Sequence, residues 1–197
     1  RQDWEDGTAL YSQWEHDITE GSNFDQKKLI LSAFSQDADL SDDQLARGNE
    51  WGGSAILRLH KGPWEIHSTI GAGQNGGTTN PDRLGDFWGL TIMPMRWLVE
   101  DRLKFVSRYQ LQSADAPEGI RLNSRYARSA AAKGDADLSL TGGRGDKHNN
   151  LYFGLNYYFC GDRMKIVSGI EYDDIETTGG ITVFKGWTIS SAFRMYF

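Results

Sequence analysis

The chain has 197 residues, 39% of them hydrophobic, 24% charged and 12% aromatic, with 23 Gly, 4 Pro and a formal net charge of −6. The acidic balance argues against nucleic acid as the main partner, and the single cysteine, Cys160, excludes an internal disulfide framework and a Cys-based zinc site. No run approaches the ~18 consecutive apolar residues of a membrane helix, yet a mean hydropathy of −0.55 leaves a membrane barrel open, because its strands place apolar residues at every second position.

The chain begins at Arg1 with neither an initiator Met nor an apolar leader, so the expectation is a removed leader or a fragment. Residues 8–18, TALYSQWEHDI, alternate weakly between polar and apolar. Residues 27–36, KKLILSAFSQ, form a clearer strand and run into the acidic DADLSDDQLARGNEWGG. A third strand over 53–61 turns at Gly62-Pro63 into a fourth over 64–73. Gly, Asn and Pro mark QNGGTTNPDRLGD as a loop. Strands over 87–97 and 102–113 are joined by LVED, and a long polar segment, 114–148, follows. The hairpin NNLYFGLNYYFCGDRMKIVSGIEY comes next, and 186–197, GWTISSAFRMYF, is the last element. No helical period is sustained, although Ser129 to Lys133 would suit one helical turn.

The links between these strands alternate. They are long after the second, fourth, sixth and eighth strands and short after the third, fifth and seventh; the first link, TEGSNFDQ, falls at the short end. Long loops at one end and short turns at the other mark a transmembrane barrel, whereas Greek-key sandwiches have no reason to keep that rhythm. Side-chain period two divides each strand into faces. Leu103, Phe105, Tyr109 and Leu111 oppose Lys104, Arg108, Gln110 and Gln112. Leu57, Leu59, Trp64, Ile66 and Ile70 oppose Arg58, His60, Glu65, His67, Thr69 and Gly71. Trp187, Ile189, Phe193, Met195 and Phe197 oppose Thr188, Ser190, Ala192, Arg194 and Tyr196.

Aromatic residues gather at strand ends, namely Trp64, Trp88, Trp97, Tyr109, Tyr157, Phe159, Trp187 and Phe197, as interfacial girdles require. The strands are also long enough for a tilted bilayer span. The expected fold is therefore all-β, a transmembrane antiparallel up-and-down β-barrel occupying residues 1–197 as one domain, with 114–148 as a long external loop.

The stretches LKFVSRYQLQSAD (103–115), NNLYFGLNYYFCGDRMKIVSGIEY and the terminal GWTISSAFRMYF resemble the C-terminal half of the phosphate-selective porin O and P family. An Arg-Tyr pair on one strand, a Gly-Leu-Asn-Tyr-Tyr strand turning into a Lys-Ile strand, and a last strand ending in Phe carry the likeness over roughly residues 86–197. The resemblance implies a porin-like barrel of about sixteen strands, trimers, and residence in the bacterial outer membrane. Nine strands fall short of that and conflict with an even strand count. The chain is thus expected to be a piece of a larger barrel or a ten-strand barrel with one further element.

Anion selectivity needs Arg or Lys at a water-filled constriction. Arg58, Lys104, Arg108, Lys165 and Arg194 are the candidates on strands; Arg121, Arg125, Arg128 and Lys133 are candidates on a loop that could fold inward. The competing expectation is that these charges pair with Glu65 and Glu171 or with water. RGD at 144–146 is chance composition in a Gly-rich loop. GAGQNGG at 71–77 lacks the Gly-Lys-Ser/Thr ending of a phosphate loop. The acidic 37–43 suits a solvated external loop, and His16, His60, His67 and His148 have no zinc spacing. His67 and Ser68, adjacent on a strand, face opposite ways and make no catalytic pair. The expectation is a non-enzymatic porin without cofactor, meeting outer-membrane lipid or lipopolysaccharide and passing small hydrophilic solutes, anions among them. The alternatives are a plugged structural or adhesive barrel and a soluble barrel that binds an apolar ligand inside.

Overall fold

The computed structural model describes residues 9–36, 49–76, 80–122, 143–161 and 163–196. It is all-β. Nine long strands form one antiparallel meander: β1 (Ala9–Asp17), β2 (Gln26–Gln36), β3 (Asn49–Lys61), β4 (Trp64–Asn75), β5 (Gly85–Val99), β6 (Leu103–Ala114), β9 (Lys147–Tyr158), β10 (Met164–Thr177) and β11 (Ile181–Met195). Two short strands inserted between β6 and β9, β7 (Ile120–Arg121) and β8 (Arg144–Gly145), make a separate ribbon. The order in the large sheet follows the chain, and every neighbouring pair is antiparallel. All nine expected strands are present.

The alternation in the sequence becomes two chemically different faces. On β9 the even positions His148, Asn150, Gly154 and Tyr158 are buried, while Phe153, Leu155 and Tyr157 are exposed. Cross-strand register carries this division across the sheet: Lys104, Asn156 and Val167 share one side, and Phe105, Leu155 and Ser168 the other. The polar side is the more enclosed one. Residues from β1 through β6 together line a single cavity of about 500 Å³ on it, so the sheet curls toward its polar face. This inverts the arrangement of a water-soluble sandwich, which turns its apolar side inward.

At the long-loop end, the segment after β6 folds back onto the polar face. Ile120 and Leu122 pack there with Ile175 and Val183, against Ala114 and Phe184. Backbone bonds fix the segment: Asp115 N–H donates to Asp86 at 3.0 Å, Glu118 N–H to Asp82 at 2.7 Å, and Leu122 N–H to Gly143 at 2.9 Å. The Asn75 amide donates to the Gly119 carbonyl at 3.1 Å.

Three expectations need correction. Among the described residues the sheet is not closed into a barrel, since β1 and β11 each pair there on one side only. The eighth link is short rather than long: β10 runs to Thr177 and β11 starts at Ile181, because Gly179 and Gly180 supply two successive positive φ angles, 85° and 75°, that make a tight turn. Trp97 does not join the apolar face. It lies on the polar side, pairing with Lys104 in register and meeting the Tyr158 ring at 5.1 Å. The proposed helical turn at 129–133 and the terminal Phe197 lie outside the described residues.

Candidate functional site

The polar face is organised in cross-strand rows. One row runs Arg108–Tyr152–Glu171–Thr188 over β6, β9, β10 and β11. Arg108 reaches across β9 to the Glu171 carboxylate at 2.5 Å and also donates to Asn150 Oδ1 at 2.9 Å. Asn150 in turn donates from Nδ2 to both Glu171 Oε1 and Asp173 Oδ1, each at 2.7 Å. Asp173 Oδ1 lies 2.8 Å from His148 Nε2, and His148 Nδ1 faces Gln112 Oε1 at 2.9 Å. His148, Asn150 and Asp173 are each 2% exposed. Each of these side chains has at least one partner, which offsets much of the cost of burying it, while Arg108 Nε and Asp173 Oδ2 are buried without one.

Tyr152 seats this network. Its ring lies over Gly154 and Gly169, and a Cβ at either glycine would collide with the ring. The Arg108 guanidinium carbon stands 5.5 Å from the centre of the same ring, within cation–π range. Two glycines paired across β9 and β10 thus let a tyrosine lie flat under an arginine.

Lys104 is also paired. Its Nζ meets Glu65 Oε1 at 2.8 Å across the intervening β5 and stands 4.1 Å from the centre of the Trp97 ring. The expected alternative, that interior cations pair with Glu65 and Glu171, holds for Lys104 and Arg108. Arg58 differs: it is exposed and makes no ion pair among the described residues. It sits in a second row, Asp17–Lys28–Arg58–His67, with Lys28 tied to Glu15 at 2.7 Å. Lys165 lies 5.1 Å from the Tyr158 ring, and its register partner is Arg194. These two sit toward the short-turn end, away from Arg108.

Arg121 occupies the ribbon folded onto the polar face. It stands directly opposite Arg144 in the β7–β8 register, an arrangement in which like charges repel. Arg83 Nε binds the Glu118 carboxylate at 3.0 Å, and Arg144 donates to the Glu118 carbonyl at 3.2 Å. Glu118 thus meets Arg83 through its carboxylate and Arg144 through its backbone carbonyl, with Arg121 beside Arg144. Burial first, and then Arg83 and Arg121, hold the Arg144 pKa below its ordinary value, with Glu118 opposing. Arg121 borders the same 500 Å³ cavity as Thr69, Thr91, Gln110 and Gln112. Arg125 and Arg128, with Lys133, lie outside the described residues.

The structure thus brings Arg108 and Lys104 onto the same strand, each neutralised by a glutamate, and places Arg58, Lys165–Arg194 and Arg121 at three other stations. Lys28, Arg83, Arg144 and the Asn150–Asp173–His148 cluster were not among the sequence candidates. Strand parity alone points to Lys28, whereas the ribbon arginines become neighbours only through the back-folded segment. No metal-binding group of three or more His, Cys, Asp or Glu occurs among the described residues. No family model matches the chain, and neither does any curated protein or solved structure.

Proposed function

We propose that this chain forms part of an outer-membrane pore of the porin type, through which small hydrophilic solutes diffuse passively, with anions preferred. One observation carries the proposal. The exposed face of an isolated curled sheet is apolar across its width, from Leu31 and Ile70 to Phe153, Leu155 and Ile189, while ion pairs and amides line the enclosed face. Aromatic residues border that outer face at both ends, with Trp51, Trp88 and Trp187 toward the long loops and Trp64, Tyr157 and Phe193 toward the short turns. Hydrocarbon is the solvent that stabilises such a surface, and interfacial girdles are its usual border.

Lipid also tolerates no free strand edge. In a nine-strand meander, β1 and β11 run in the same direction, so antiparallel closure takes an odd number of further strands. This accords with the resemblance to the phosphate-selective porin O and P family, and with the chain being a portion of a larger cylinder. Selectivity then rests on Arg58, which makes no ion pair among the described residues, and on Arg121, which stands opposite Arg144, with Lys104 and Arg108 contributing less.

The segment folded over the polar face favours a second possibility, a plugged barrel that displays its loops. Reconstitution into planar bilayers separates the two. Stepwise conductance with an anion-directed reversal potential is the expected result, and its absence from correctly inserted protein leaves the plugged barrel. A chain that folds and stays monomeric in buffer without detergent overturns both.

A further inference from the structure

The cavity of about 500 Å³ on the enclosed face falls within the size of small-molecule sites, about 300–1,000 Å³. Its floor changes chemistry in steps along the strands. Toward the long loops one register row runs Phe34–Gly52–Gly73–Phe87 over β2 to β5. A Cβ at Gly52 would strike the Phe34 ring, and one at Gly73 the Phe87 ring. The two half-buried rings therefore lean toward each other over neighbouring glycines ~5 Å apart, as one aromatic platform. Two residues along, Gly71 and Gly89 are paired in register. No ring covers them, and a Cβ at Gly89 would meet nothing closer than 3.5 Å. These two glycines give the cavity its depth.

Two residues further, Thr69, Thr91 and Gln110 follow one another across β4, β5 and β6 and border the cavity. None of the three makes a hydrogen bond among the described residues. Ser32 and Ser54 differ, since their hydroxyls bond each other at 2.8 Å. The segment folded onto the polar face covers the cavity with Gly119, Ile120 and Arg121, and the Asn75 amide on the Gly119 carbonyl holds it there. Among the described residues no carboxylate borders the cavity, and Arg121 is its one charged group. From the platform at Gly73 to the polar row at Thr69 is about 13 Å of strand at ~3.3 Å per residue.

We propose that this cavity binds a neutral disaccharide, one pyranose ring resting its C–H face on Phe34 and Phe87 and the second lying over Gly71 and Gly89 with its hydroxyls on Thr69, Thr91 and Gln110. The inference deepens the pore reading by naming a solute class, and it rests on the enclosed face being the water-filled interior. Three features select the ligand. The electron-rich faces of aromatic rings attract the polarised C–H groups of a sugar ring. Threonine hydroxyls and the glutamine amide both donate and accept, as sugar hydroxyls do, whereas a fully ionised anion only accepts and leaves Gln110 Oε1 unmatched. A cationic solute finds no carboxylate to pair with. The distance from platform to polar row calls for two linked rings.

Isothermal titration calorimetry on the full chain, in a detergent without a sugar headgroup, tests this with cellobiose, glucose, sorbitol and inorganic phosphate. Wild type is expected to bind cellobiose at least tenfold tighter than each of the others. Phe87→Ala is expected to weaken cellobiose about tenfold, and Gly89→Val, which fills the floor, to abolish measurable binding. Thr91→Val is expected to weaken it several-fold, while Thr91→Ser retains it. Wild type that binds no cellobiose, or binds glucose, sorbitol or phosphate as tightly, overturns the proposal without recourse to any variant. Phe87→Ala or Gly89→Val protein with wild-type strand circular dichroism and wild-type affinity overturns it as well. Failure of the pore reading shows itself separately, as absent conductance in planar bilayers, because the calorimetric signal needs no membrane.

Discussion

Arg108 on β6 and Glu171 on β10 meet at 2.5 Å although β9 lies between them. The arginine crosses above Tyr152, its direct register partner, so the ion pair bridges three strands and cancels a charge in the middle of the polar face. A unit charge a few ångströms from a passing ion is worth about 1 kcal/mol in a water-like medium, roughly a fivefold change in local ion occupancy. Replacing Glu171 with Gln exposes the Arg108 charge and is expected to raise the anion-to-cation permeability ratio by about that factor. Arg108→Gln is expected to lower it. Reversal potentials in asymmetric chloride salts read both, and a potential unmoved by either substitution removes the pair from the conduction path.

Asn150 is the joint between two carboxylates. Its Nδ2 donates to Glu171 and Asp173, and its Oδ1 accepts from Arg108. Truncation to Ala leaves two enclosed carboxylates facing each other without their shared donor, at a cost of about 1–3 kcal/mol per unsatisfied group. Asn150→Ala is therefore expected to lower the urea midpoint of the folded protein in detergent, whereas Asn149→Ala, on the opposite face, is expected to leave it nearly unchanged.

Gly169 is a packing position. A side chain there strikes the Tyr152 ring, and overpacking of this kind costs about 1–3 kcal/mol. Gly169→Val is expected to destabilise the protein and to displace Arg108 from above that ring, so stability and ion selectivity change together. Tyr152→Ala in the Gly169→Val background restores room for the valine. It is expected to recover part of the stability but not the selectivity, as measured by unfolding and by reversal potential in the same preparations.

Much of this was legible in the sequence, for a physical reason. Period-two alternation is strong in β6, β9, β10 and β11, where Phe, Leu and Ile alternate with Lys, Arg, Asn and Gly, so parity alone assigns faces. The extension of β10 through Asp173, Asp174 and Glu176 was hidden because acidic residues disfavour strands and two glycines follow shortly after. The strand persists there because Asp173 is held by Asn150 and His148, and Asp174 by Lys185. Trp97 was misplaced by grouping aromatics by closeness to a strand end. Parity contradicts it, since Trp88 and Trp97 are an odd number of residues apart and cannot share a face. Strand parity puts Glu65 and Glu171 on the face of the cations, so pairing with them is legible, but which cation each meets depends on register between strands that are not sequence neighbours, as does the meeting of Arg83 and Arg144 at Glu118. Composition and spacing carry no signal for that choice of partner.

The direction of the apolar face can be decided with two neighbouring residues. Ile189 is 82% exposed on the outer side of β11, and Ser190, also exposed, points to the polar side. In a water-soluble protein an arginine at Ile189 is a surface change worth within about 0.5 kcal/mol, and it improves solubility. In a bilayer the same arginine sits near the hydrocarbon midplane and costs about 2–4 kcal/mol. Arginine at Ser190 meets water in the lumen and costs little. Ile189→Arg is therefore expected to lower the yield of protein folded into phosphatidylcholine vesicles and its unfolding free energy by that amount, while Ser190→Arg tracks wild type. Equal tolerance of both substitutions places the outer face in water, and the pore and the girdles fall with it.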